Sequence, residues 1–136
     1  MNRIVLALIG ILLVSACTVR TDTAGPQPQP HPLVDNFFQT PAGGEVSLAN
    51  LAGGTFRLED RCLVLMTGDG RRTPIFAAAP GDVVIERERM VVRGLSVSYA
   101  QPYVFPGLAP GPTLHLANAE CPPESVVVSA IEPRTK

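Results

Sequence analysis

Tryptophan is absent from this chain, lysine occurs once, at Lys136, and histidine only at positions 31 and 115. Each scarcity narrows the field. The 11 Lys and Arg residues are balanced by 12 Asp and Glu, for a formal charge of −1. That leaves no excess positive charge for the basic face that nucleic-acid binding needs. Two histidines so far apart make no zinc spacing, and no H-E-x-x-H, G-x-S-x-G or Walker loop occurs. No metal, no cofactor and no catalytic residue is therefore nominated. His31 stands in a proline tract without a second ligand, and His115 reads as a solvent-facing loop residue. Ser96, Ser98, Ser125 and Ser129 lie in or beside expected strands with no evident base.

What is present begins with one apolar run. Residues 4–14 are almost wholly apolar behind a short start containing Arg3. A helix across a bilayer core takes roughly 20 apolar residues, so this run is too short to span. Its length, positive flank and following small residues match a secretory signal peptide. Val14-Ser15-Ala16-Cys17 follows and resembles the lipobox of bacterial lipoproteins. The resemblance implies cleavage after Ala16 and lipid on the Cys17 thiol, with a second acylation at the new amino end. Two or more acyl chains hold a protein on a membrane stably, where one binds reversibly. Thr18 occupies the place where many Gram-negative lipoproteins carry an inner-membrane retention Asp, so the resemblance implies the outer membrane, facing the periplasm. Losing Arg3 takes the formal charge from −1 to −2.

Residues 17–32 read as a lipidated cysteine and a tether. "TVRTDTAGPQPQPHP" alternates proline with polar residues, which excludes a long helix and favours polyproline II. Fifteen such residues would reach roughly 45 Å fully extended. Residues 33–136 read as one small β-domain. "EVSLANLAGG" is expected to form a short helix or turn, and "TFRLED" alternates as a strand. "CLVLM" is apolar on both faces, as a strand covered on both sides would be. Thr67-Gly68-Asp69-Gly70 reverses it, and Pro74 places the next segment at an edge or bulge. "DVVIE", then "MVVRGLSVSYA" with a bulge or sharp bend at Gly94 and Leu95, Val97 and Tyr99 alternating with Ser96 and Ser98, a long proline-rich loop with at most a short strand around Leu114-His115-Leu116, and a closing "SVVVSAI" complete the pattern. About six short strands predict an all-β fold: a small, partly open barrel of the OB or SH3-like kind, or a compact sandwich.

With Cys17 assigned to lipid, Cys62 and Cys121 are an even pair in an oxidising compartment and are expected to form a disulfide. The run "ERER" would put Glu86 and Glu88 on one face of a strand, about 6–7 Å apart, a spacing glycosidases use. A small barrel has no deep cleft for such a pair, so a solvated hairpin end is the expectation. "YAQPYVFPGLAPGP" is the candidate partner surface, through Tyr99, Tyr103, Phe105 and Leu108. Proline-stiffened aromatic loops lose little entropy on binding. The stretches "GTFRLEDRCLVLM", "TPIFAAAPG" and "VVRGLSVSY", with the late cysteine, also resemble small bacterial β-domains that share the disulfide and strand order. Those commonly carry a Trp-Pro-Pro-type segment where Ile75-Phe76-Ala77 stands here, and no activity carries over.

The expectation is a membrane-anchored envelope lipoprotein whose non-enzymatic domain binds or supports another envelope component. A small enzyme with an unrecognised site, or an inhibitor or ligand-capture module, are the alternatives.

Overall fold

A computed structural model of the chain describes residues 26–40 and 51–135. The expected signal peptide, Cys17, the first part of the tether and residues 45–50 of the expected helix or turn lie outside the described residues. The described part is all-β, without a helix, and holds eleven strands rather than about six. In chain order they are β1 (Phe38–Thr40), β2 (Leu51–Glu59), β3 (Cys62–Thr67), β4 (Gly70–Ala77), β5 (Val83–Ile85) and β6 (Arg89–Val92). There follow β7 (Leu95–Ser98), β8 (Pro102–Pro106), β9 (Ala109–Pro110), β10 (Ser125–Val128) and β11 (Glu132–Pro133). An eight-stranded mixed sheet runs β11-β8-β2-β3-β4-β10-β9, with β1 also on β4, and does not close into a barrel. The second sheet is β5-β6-β7.

Several expectations are corrected. Gly53 and Gly54 do not close a helix: they lie inside β2, paired with β8. The bend at Gly94 is a full reversal. Arg93 and Gly94 both have positive φ, the pattern of a two-residue hairpin turn, and Val92 pairs with Leu95. Leu114–Leu116 form no strand; the Leu114 N–H instead donates to Pro123 O at 2.7 Å. The domain also gathers in the tether's end, because Gln29 N–H donates to Phe37 O at 2.7 Å.

β3 shows why its apolar run is unbroken. Leu63 and Leu65 face the main core, which includes Phe56, Phe76, Met90, Val97 and Phe105. Cys62 and Val64, on the opposite face, pack with Cys121, Met66 and Leu116. The proline-rich loop after β9 thus covers the back of the sheet. Cys62 and Cys121 are disulfide-bonded, with Cα atoms 5.2 Å apart, fastening that loop to β3. In the main core Phe56 stacks on Phe76 at 6.1 Å and meets Phe105 edge-on at 5.4 Å. Each buried phenylalanine contributes about 1.5–3 kcal/mol.

Pro74 is not at an edge. β4 pairs β3 only as far as Leu65↔Arg72, and that register, continued, would set Leu63 opposite Pro74. Leu63 has the same strand parity as Leu65, so its peptide group points at the proline, which has no N–H to give. The side-chain amide of Asn36 fills the gap. Its Nδ2 donates to Leu63 O at 2.8 Å, and its Oδ1 accepts from Leu63 N–H at 2.7 Å. Nδ2 also donates to Thr73 Oγ1 at 3.1 Å, and the Thr73 hydroxyl donates to Pro122 O at 2.6 Å. Two residues on, β1 takes over the β4 edge from Ile75. Asn36 and Thr73 are both fully buried.

Arg93, from the β6–β7 turn, ties the small sheet to the large one. Its guanidinium donates to Ser129 O at 2.7 Å and to Ala77 O, at the carboxyl ends of the parallel pair β10 and β4.

Two outcomes follow from this packing. Asn36→Ala orphans both polar groups of Leu63, at about 1–3 kcal/mol for each buried group left unpaired. Urea unfolding is expected to show a loss of about 3 kcal/mol, a large fraction of a domain's stability. Reducing the disulfide, whose partners are 59 residues apart, removes up to about 4 kcal/mol on the chain-entropy estimate. Thermal unfolding with and without reductant checks it, the reduced form melting at lower temperature.

Candidate binding cleft

The residues nominated from sequence do not gather into one surface. Phe105 is fully buried and Tyr103 is 5% exposed, because alternate residues of β8 face the core. The Tyr103 hydroxyl accepts a hydrogen bond from Ser98 N–H at 2.8 Å, fastening β8 to β7. Tyr99 and Leu108 are half-buried and pack against the same core. The four form core lining rather than an exposed aromatic patch.

Glu86 and Glu88 share no strand face. They sit in the reversal between β5 and β6, where Glu86 N–H donates to Arg89 O at 2.9 Å and Arg89 Nε to Glu86 Oε2 at 2.8 Å. His115 is exposed. The His31 ring meets Phe37 edge-on at 5.6 Å, and its Nδ1 accepts from Leu33 N–H at 3.1 Å. Burial pushes the His31 pKa down. Asp35 chelates the Arg61 guanidinium at 2.8 Å, and Asn118 Nδ2 donates to it at 3.0 Å. Those hydrogen bonds, from Arg61 first, hold the Asp35 carboxyl below its ordinary value.

A concavity of about 590 Å³ lies elsewhere. One wall is the start of β2 at Ala52 and Gly53, with the β3–β4 turn at Gly68 and Asp69. The other is β9 with the approach to β10, around Gly111 and Glu124. Arg72, on β4, pairs with Glu124 just before the neighbouring β10. The second wall is built tightly. Gly111 N–H donates to Ser125 O at 2.9 Å, and a Cβ at Gly111 would lie 2.3 Å from Ser125 Oγ. Ser125 Oγ in turn donates to Pro112 O. The network around Asn36 holds this wall in place, since Thr73 N–H donates to Glu124 O at 2.8 Å.

The cleft presents an ion pair, the Asp69 carboxylate, peptide groups of glycine-containing segments and an apolar side at Leu108 and Val126. Such groups recognise a ligand by hydrogen bonding and charge. Sequence reasoning missed the cleft because its parts come from "LAGG", "TGDG" and "PGP", each of which reads alone as a turn. No protein-family model, curated protein or solved structure matches the chain.

Tyr99 carries a titration that checks this packing. Burial, with the negative charge of Glu86, pushes its phenol up to about 12, and its hydroxyl donates to Glu86 O at 2.7 Å. An unfolded tyrosine ionises near pH 10. The folded state therefore binds this proton more tightly, a stabilisation complete below about pH 10 and lost as pH rises towards 12. Ultraviolet titration is expected to show one phenolate forming near pH 12, and Tyr99→Phe to remove that step.

Proposed function

We propose that the chain is a bacterial envelope lipoprotein whose β-domain binds or supports another envelope component without catalysing a reaction. The signal peptide, residues 1–16, is removed, Cys17 carries the lipid, and residues 18–32 hold the domain off an outer-membrane surface facing the periplasm. The carrying observation is the order of a charged start, an apolar run, Ser15-Ala16 and Cys17. The Cys62–Cys121 bridge supports it, since it suits an oxidising compartment and leaves Cys17 as the third cysteine. We read the eight-stranded sheet as a partly open barrel, with the 590 Å³ cleft between the start of β2 and β9.

The test is metabolic labelling with tritiated palmitate. The native chain is expected to take up label and migrate as the processed form. Cys17→Ser is expected to accumulate unprocessed precursor and take up none. Undiminished labelling of the Ser variant contradicts the reading.

A further inference from the structure

The first three residues of β2 project beyond the strand beside them. β2 pairs with β3 from Glu59↔Cys62 to Gly54↔Thr67, where β3 turns away. Asp60 and Arg61, both at positive φ, make the two-residue turn between them, so Glu59 and Cys62 are a hydrogen-bonded pair. Alternation then points the peptide groups of Arg57, Thr55, Gly53 and Leu51 to the β3 side. The opposite parity is visible at Phe56, whose carbonyl accepts from Ala100 N–H at 2.9 Å on the β8 side. Beyond Thr67 no strand among the described residues lies beside Gly53 and Leu51 on that side, and Gly53 lines the cleft.

This edge is also unguarded. Sheets protect free edges with charge, proline or extreme shortness. β9 and β11 have two residues each and carry Pro110 and Pro133. The β2 projection is Leu51-Ala52-Gly53, with neither charge nor proline, and Leu51 is 73% exposed. Arg72 is neutralised by Glu124, while Asp69 forms no ion pair among the described residues. The local charge is therefore negative.

We infer that the cleft takes an extended peptide segment of a partner protein, which adds as a strand along Leu51–Gly53 and places a basic side chain at Asp69. Backbone donors and acceptors on alternate residues, with the spacing of a strand, are what another strand satisfies. The inference rests on the proposed role of the domain as a partner-binding module.

The test uses the mature lipidated chain, ¹⁵N-labelled, in detergent micelles. The probe is a capped hexapeptide of alternating valine and threonine with one central lysine. Binding is expected to shift the Leu51 and Gly53 amide signals and slow their hydrogen exchange. A twin N-methylated on alternate backbone nitrogens, in the register that faces β2, is expected to lose both effects. Asp69→Asn is expected to weaken the lysine peptide about twofold to fivefold, the range for an exposed ion pair, and to leave an all-neutral peptide unaffected. No response at Leu51 and Gly53 with millimolar peptide overturns the inference. So does equal binding by both N-methyl registers, or maltotriose moving these amides where the peptide does not. In cells, photo-crosslinkers at Leu51 and at the exposed Val84 separate the two levels. Adducts from Val84 alone overturn the cleft assignment and keep the partner reading; adducts from neither overturn both.

Discussion

A single side-chain amide stands where a strand bond is missing. Pro74 cannot donate to Leu63, and Asn36 supplies both the donor and the acceptor that a neighbouring peptide would have offered. Buried peptide groups must be paired, and β3 is buried on both faces, so water cannot stand in. From Asn36 the network runs through Thr73 to Pro122, next to Cys121, which is bonded to Cys62 beside Leu63. Polar network and disulfide together close a ring around the start of β3. Every buried side-chain polar atom among the described residues has a partner, as a network at low dielectric requires.

That ring sets the geometry of the cleft at a distance. Thr73 positions the residues before β10 through Pro122 and Glu124, and Glu124 then pairs with Arg72 in the cleft lining. On the other wall, the early reversal at Gly68 and Asp69 stops β3 three residues short of the start of β2. The cleft is thus a by-product of two local choices, a turn that comes early and a wall held from behind. Neither requires a residue whose only purpose is to bind.

Much of the fold was legible where the signal was local. The reversal at residues 67–70, the two-faced apolar run of β3, the half-buried alternation of β7 and the Cys62–Cys121 pair all follow from short patterns. The rest was hidden because it is non-local. Asn36 reads as a polar residue before a strand, and nothing nearby in sequence shows that it enters the gap opposite Pro74, 38 positions on. β1 and β10 run parallel to β4, and such pairings leave no hairpin turn to find. Tyr103 and Phe105 sit among prolines, which suggested an exposed loop. The register shows why a strand tolerates them: Pro102 and Pro106 have the parity that faces away from β2, where no N–H is owed to it. The cleft was invisible for a related reason, since its glycines converge from three segments far apart in sequence.

The most direct measure of this account is hydrogen exchange at the Leu63 amide. If the Asn36 side chain holds it, that amide exchanges only through global unfolding in the native chain. In Asn36→Ala it is then expected to exchange far faster than its β3 neighbour Leu65, which keeps its bond to β4. If the substitution leaves Leu63 protected as well as Leu65, the amide is held by something else, and the Asn36 side chain is not what replaces the missing bond opposite Pro74.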